Sequence, residues 1–124
     1  MKTLLTPAAA LLIAAVATPA AAAGDAAKGA TDFKTKCQMC HTIAAGQKGT
    51  LGPNLRGVVG RKAGSTDFAM HSPQLKAYGK TWNAALLDQW LTSPVKLVPG
   101  ARMVINVPAK ADRDDIIAYL ATQK

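Results

Sequence analysis

Apolar side chains recur at three- and four-residue intervals over several short stretches of the chain, the spacing that predicts amphipathic helices. The first stretch runs from Asp25 to about Cys40, with Asp25 placed near its start. The last runs from Ala111 to Thr122 and carries acidic residues in its first turn, where they favour a helix N-terminus. Its inward face is formed by Ile116, Ile117, Tyr119 and Leu120.

Two further helices are predicted in the middle of the chain. Ser72 is an N-cap residue followed by a first-turn proline, which predicts a short helix from Pro73 to Tyr78. Thr81 is positioned to cap a second helix from Trp82 to about Thr92, and Pro94 marks its end.

The connecting segments are predicted loops. Residues from Gly46 to Gly64 are rich in glycine, and residues from Pro99 to Pro108 are bracketed by prolines. No stretch alternates apolar and polar positions in the way that a half-buried strand does. The sequence therefore predicts one mostly helical domain with long loops.

The N-terminal residues 1–23 have the composition of a secretory signal peptide. Lys2 is their only charge, and an apolar stretch of 10 residues from Ala8 to Ala17 is followed by alanines that fit a cleavage site before Gly24. An uncleaved membrane anchor is the alternative, but the stretch is far shorter than the roughly 20 residues that a bilayer requires. We therefore expect an exported protein whose mature domain is residues 24–124.

Composition adds two constraints. The formal net charge is +8, and in an exported protein such a charge predicts partners with acidic protein faces or anionic lipid, not nucleic acid. Aromatic residues make up only 5% of the chain, so the large side chains that usually fill a small core are scarce. Short helices joined by irregular backbone therefore need a cross-link or a prosthetic group to form a stable core.

Both cysteines of the chain lie in the sequence CQMCH, residues 37–41. A CxxCH motif is the signature of covalent c-type haem attachment. Two thiols at positions i and i+3 of one helical turn face the same way, so they can add to the two vinyl groups at one haem edge. A histidine that follows at once can bring a ring nitrogen to the iron.

Two other interpretations of these residues stay open at this point. Cys37 and Cys40 could form the disulfide of a thiol oxidoreductase, although that motif normally joins a strand to a helix and no strand is predicted. The same cysteines could hold zinc with His41 and His71, although adjacent Cys40 and His41 do not easily share one tetrahedral centre with Cys37. Both interpretations predict a colourless protein.

The order and spacing of dispersed motifs resemble the class I cytochrome c family of small, soluble carriers with one haem. The resemblance covers essentially all of residues 24–124. The matching pieces are Gly29, Phe33, CQMCH, GPNL at 52–55, GRKAG at 60–64, Trp82, PGARM at 99–103 and IIAYL at 116–120. It implies an all-α cytochrome c fold, with short helices and loops wrapped around one haem c bound covalently through Cys37 and Cys40.

The resemblance also implies roles for individual residues. His41 and Met103 would be the axial ligands of the haem iron. The carbonyl of Pro53 would accept a hydrogen bond from the other ring nitrogen of His41, which fixes its tautomer. Arg61 and Trp82 would hold a haem propionate.

The residues themselves permit this choice of methionine. Met103 lies in the proline-bracketed loop, whereas Met39 lies inside the attachment motif and cannot reach the opposite face of the iron. Met70 or His71 is the alternative ligand. Trp90 and Met70 stand where relatives commonly have tyrosine, a departure that bears on the tuning of the reduction potential.

Iron with both axial positions filled has no open site for a substrate, so the implied function is one-electron transfer and not catalysis. We expect a monomeric periplasmic carrier, not membrane-spanning once mature, that shuttles between redox complexes. A dedicated acceptor for one exported dehydrogenase is the alternative. By resemblance, basic residues around the haem edge dock transiently on acidic partner faces. The candidates are Lys36, Lys48, Lys96, Arg102 and Lys110.

Overall fold

A computed structural model describes residues 24–124 and, before them, Ala14 alone. The predicted signal peptide, residues 1–23, therefore lies outside the described residues apart from that alanine. Within the described part of the chain, no helix is long and apolar enough to cross a membrane.

Short helices and long loops make up the domain, as the sequence predicts. The helices are α1 (Ala26–Asp32), which continues into a π-helical segment (Phe33–Cys37), α2 (Pro73–Ala77), α3 (Ala84–Thr92), α4 (Pro94–Leu97) and α5 (Lys110–Thr122). In residues 24–124 the one pairing of extended backbone outside the helices is an isolated antiparallel bridge between Lys62 and Thr81. The prediction of a helical domain without a sheet is confirmed for these residues.

The first helix begins where its cap predicts. The Asp25 carboxylate accepts hydrogen bonds from the backbone N–H groups of Ala27 and Lys28, at 2.9 and 3.2 Å. The predicted end at about Cys40 is wrong by three residues, because the helix widens into the π-helical segment and ends at Cys37. Cys40 lies in the turn that follows.

The two middle helices differ in how well their starts are predicted. Ser72 caps α2, since its side chain accepts from the N–H of Leu75 at 3.1 Å. The predicted cap at Thr81 is wrong: the Asn83 side chain accepts from the N–H of Leu86 at 2.8 Å, and α3 begins at Ala84. Thr81 is instead held by its bridge to Lys62.

A second departure follows α3. Pro94 does mark the end of that helix, but it also occupies the first turn of α4, a helix that the sequence analysis did not predict.

The crossing of α1 and α5 forms one end of the core. At Gly29 a Cβ atom would lie 1.9 Å from the backbone oxygen of Asp115, so only glycine permits this approach. Beside the crossing, Phe33 and Ile116 are almost fully buried, and the Phe33 and Tyr119 rings pack with centroids 5.5 Å apart. The predicted inward face of α5 is confirmed, with Tyr119 only partly buried.

Candidate functional site

A cleft of about 300 Å³ lies between the Cys37–His41 turn, the loop after it and the segment that carries Met103. Most of its walls are apolar, and Trp82, Leu87, Trp90 and Leu91 are buried core residues that also line it. All the residues to which the sequence analysis assigns a cofactor role meet in this cleft. They are Cys37, Cys40, His41, Pro53, Arg61, Trp82 and Met103.

The two cysteines are brought together by a single turn of backbone. The carbonyl of Cys37 accepts hydrogen bonds from the N–H groups of Cys40 and His41, at 3.0 and 2.9 Å. Both thiols are free and half-buried. Burial raises the pKa of the Cys37 thiol to about 11, whereas the attacking cysteine of a thiol oxidoreductase has a lowered pKa. The turn therefore presents the protonated Cys37 thiol and the Cys40 side chain to the same cleft.

The His41 ring is fixed by the loop that follows it. Its Nδ1 lies 2.8 Å from the carbonyl oxygen of Pro53, the partner that the resemblance implies. When Nδ1 donates to this carbonyl, Nε2 is the unprotonated nitrogen and can bind a metal. Burial lowers the pKa of the imidazole below 6.5, so the ring is neutral at pH 7.

Gly52 makes this arrangement possible. A Cβ atom at this position would lie 2.4 Å from Cε1 of His41, so the glycine backbone lies directly against the ring. The N–H of Gly52 donates to the carbonyl of Cys40 at 2.7 Å, and the Thr50 hydroxyl donates to the same oxygen at 3.1 Å. In the sequence, Gly52 stands out only as part of GPNL, because its contact with the ring depends on how the loop folds back.

Met103 is half-buried in the segment between α4 and α5. Two contacts fasten the backbone around it. The guanidinium of Arg102 donates to the carbonyl of Met70 at 3.0 Å, and the N–H of Val107 donates to the carbonyl of Leu91 at 2.7 Å. The prolines predict a loop here, and the structure has no helix between Val98 and Ala109.

The alternative ligands have different surroundings. Met39 is 80% exposed and does not line the cleft, whereas Met70 lines it but is 46% exposed. His71 is buried at the cleft, and its Nε2 lies 2.6 Å from the hydroxyl of Thr66. Burial and the nearby charges of Lys76 and Arg61 lower the pKa of His71. Local sequence carries no signal for this burial.

Arg61 is a partly buried cation at the cleft. Its side chain donates to the carbonyl of Arg56 at 3.1 Å, and within residues 24–124 no carboxylate lies at ion-pair distance from it. Burial lowers the pKa of its guanidinium. The backbone N–H of Trp82 donates to the Arg61 carbonyl at 2.9 Å, which holds the two residues side by side. An arginine without a counter-charge fits an anionic group of a cofactor.

The donor set as a whole fits a covalently bound haem: two thiols on one turn, a neutral imidazole, a thioether, apolar walls and an arginine that has no carboxylate partner within residues 24–124. The family model described as Cytochrome c matches residues 26–124. The chain belongs to the cytochrome c family. Members carry one covalently bound haem c, so this cytochrome is a haem-based electron carrier.

Individual relatives support the assignment to this family. Cytochrome c of Stellaria longipes is 42% identical over 98 residues, which are 78% of this chain and 91% of the relative. Cytochrome c2 of Rhodomicrobium vannielii is 44% identical over 103 residues, 82% of each chain. Among solved structures, cytochrome cH from Methylobacterium extorquens is 46% identical with a TM-score of 0.73, covering 80% of this chain and 99% of that one. The thiol oxidoreductase and zinc interpretations are therefore wrong.

The predicted docking residues of the cytochrome are not equivalent. Lys36 forms ion pairs with Asp112 at 2.7 Å and Asp32 at 3.7 Å, and the hydrogen bond to Asp112 raises its pKa. Lys110 pairs with Asp114 at 3.0 Å. Lys48, Lys96 and Arg102 are exposed, and no ion pair joins them to a carboxylate of residues 24–124.

Proposed function

We propose that this cytochrome is a periplasmic electron carrier in which Cys37 and Cys40 hold the haem and His41 and Met103 are its axial ligands. The observation that carries the proposal is the hydrogen bond of 2.8 Å between Nδ1 of His41 and the Pro53 carbonyl. It leaves Nε2 of a neutral ring available for iron in the cleft that Met103 also lines.

The chain's own residues account for a carrier that does not catalyse. Haem c, when bound, supplies a single iron that changes between ferrous and ferric. With His41 and Met103 as ligands, no position would remain for oxygen or a substrate, and the soft thioether of Met103 would favour the ferrous state. The buried apolar side chains of the cleft exclude water and disfavour the extra charge of the ferric state. Both effects raise the reduction potential.

Replacement of Met103 by leucine tests the ligation. We expect the oxidised variant to lose its sulfur-to-iron charge-transfer band, the reduced variant to bind carbon monoxide, and the reduction potential to fall. Met70→Leu is the matched control, because Met70 lines the same cleft but is exposed. Loss of the band in Met70→Leu, with Met103→Leu unchanged, would contradict the assignment.

Docking through free positive charges is tested with the small anionic oxidant ferricyanide. At low salt, Lys48→Gln and Lys96→Gln should slow oxidation of the reduced protein, because each removes a charge that attracts the anion. Lys36→Gln should have a smaller effect, since Asp112 already compensates that charge. Added salt should remove these differences by screening. Equal effects of all three substitutions, or rates independent of salt, would argue against this surface.

The periplasmic location rests on residues 1–23. Protein purified from the periplasmic fraction of an expressing bacterium should have the mass of residues 24–124 plus one haem c. A full-length chain found only in the cytosol or the membrane would contradict this part of the proposal.

A further inference from the structure

Arg113 is a buried cation that the cleft does not use. It lies on α5 with only 8% of its surface exposed, and it does not line the cleft. Its side chain makes three hydrogen bonds. Nε donates to the Asp88 carboxylate at 2.7 Å, and Nη1 donates to the carbonyls of Val107 and Pro108 at 3.0 and 2.7 Å.

These bonds join three parts of the chain. Asp88 belongs to α3, Arg113 belongs to α5, and the two carbonyls belong to the loop that carries Met103. The N–H of Val107 also donates to the Leu91 carbonyl on α3. The C-terminal end of the Met103 loop is therefore held by the Arg113 guanidinium, which links it to α5 and α3, and by the separate bond between Val107 and Leu91.

The ion pair is what keeps the guanidinium in place. A buried cation is costly unless a carboxylate compensates it, and among residues 24–124 only Asp88 lies at ion-pair distance from Arg113. The Asp88 side chain is 31% exposed, so solvent partly screens the pair. Without this partner the arginine would gain by moving toward water, and its bonds to the Val107 and Pro108 carbonyls would break.

We propose that Asp88 and Arg113 are positioning residues that hold the Met103 loop closed and thereby limit how fast an external ligand displaces Met103 from the iron. The proposal rests on the proposed ligation by Met103. Neither residue lines the cleft; the pair acts on the backbone four and five residues after Met103.

The test compares Asp88→Asn with Asp114→Asn in the holoprotein. Asp114 forms an ion pair at the chain surface with Lys110 on the same α5 helix, so its variant also loses one carboxylate but leaves the loop contacts intact. The first readout is the rate of hydrogen exchange at the N–H of Val107, compared with the rate at Leu120 in α5, which reports on the stability of the fold away from the loop. The second is the rate at which imidazole binds to the oxidised protein.

We expect Asp88→Asn to accelerate both Val107 exchange and imidazole binding roughly tenfold and to leave Leu120 exchange almost unchanged. In Asp114→Asn all three rates should stay close to those of the wild type. Arg113→Lys is the second variant. Lysine keeps the charge but has one nitrogen instead of a planar fork, so it cannot bond the carboxylate and both carbonyls in the same way, and the same direction of change is expected.

Equal acceleration at Val107 and Leu120 would mean that the pair only stabilises the whole fold, which overturns the proposal. The proposal would also be overturned if Val107 exchange and imidazole binding in Asp88→Asn were no faster than in Asp114→Asn. A separate result would show that Met103 is not a ligand: Met103→Leu would then have the spectrum and the imidazole-binding rate of the wild type. In that case Val107 exchange would still report whether the pair fastens the loop.

Discussion

Alanine at Gly52 is the sharpest test of how the protein holds His41. A Cβ atom there would lie 2.4 Å from Cε1, 2.7 Å from Nδ1 and 2.9 Å from Nε2 of the imidazole. Carbon atoms in contact are normally about 3.5 to 4.0 Å apart, so the ring would have to move by roughly 1 Å. The φ angle of Gly52 is not in the left-handed region, so alanine adds no backbone strain and the ring displacement dominates.

The displacement has a calculable consequence. A shift of roughly 1 Å lengthens the 2.8 Å contact between Nδ1 and the Pro53 carbonyl beyond hydrogen-bonding distance. An unsatisfied buried donor costs about 1–3 kcal/mol, and loss of the group that orients a ligating histidine typically lowers metal affinity about 10- to 100-fold. We therefore expect Gly52→Ala to destabilise the holoprotein by about 2 kcal/mol.

Two measurements check this prediction. Guanidinium unfolding of the holoprotein should give the lower stability, and acid titration should displace His41 from iron at a higher pH, by about one unit for a tenfold loss of affinity. Gly57→Ala is the control: its φ of +74° makes alanine unfavourable, but no atom lies within 4 Å of the added Cβ. If both variants lose the same stability and both titrate like the wild type, Gly52 does not support the ring.

Two further predictions concern the cofactor and pH. Serine at both Cys37 and Cys40 removes the covalent attachment and should give a largely unfolded chain, because the apolar cleft loses its filling; native-like circular dichroism and cooperative melting without haem would contradict this. Burial lowers the pKa of His71 in the folded protein below 6.5. As the pH falls, the unfolded chain is therefore protonated at His71 before the folded one, and the folded state loses stability below pH 6.5. His71→Gln should flatten that part of the stability profile, and an unaltered slope would refute it.

The parts of the fold that follow from local chemistry could be predicted from the sequence. Asp25 and Ser72 cap their helices with their own side chains, and α5 buries the face that its apolar spacing indicates. Thr81 and Asn83 are both good caps two residues apart, and local sequence does not decide between them. In the structure Asn83 caps α3, and Thr81 pairs with Lys62, 19 positions earlier in the chain. The π-helical segment that ends at Cys37 has no local signal either.

Some features of the site also follow from local sequence, and others depend on the fold. Cys37, Cys40 and His41 lie within one short motif, so the motif alone predicts covalent haem attachment. The contact of Gly52 with the His41 ring and the burial of His71 depend on how loops fold back, and a single sequence does not contain that information.

Charge shows why composition alone cannot define the docking surface. The excess of Lys and Arg predicts attraction to acidic partners, but an ion pair subtracts from that attraction wherever the fold brings a carboxylate to a lysine. Asp112 lies 76 residues from Lys36 in sequence. Lys36 lies on the π-helical continuation of α1, and with α1 packed against α5 the two charges are 2.7 Å apart. Part of the predicted basic ring therefore has its charge compensated within the domain itself. Among the five predicted docking residues, we therefore expect substitution of Lys48, Lys96 or Arg102 to be the more sensitive probe of docking.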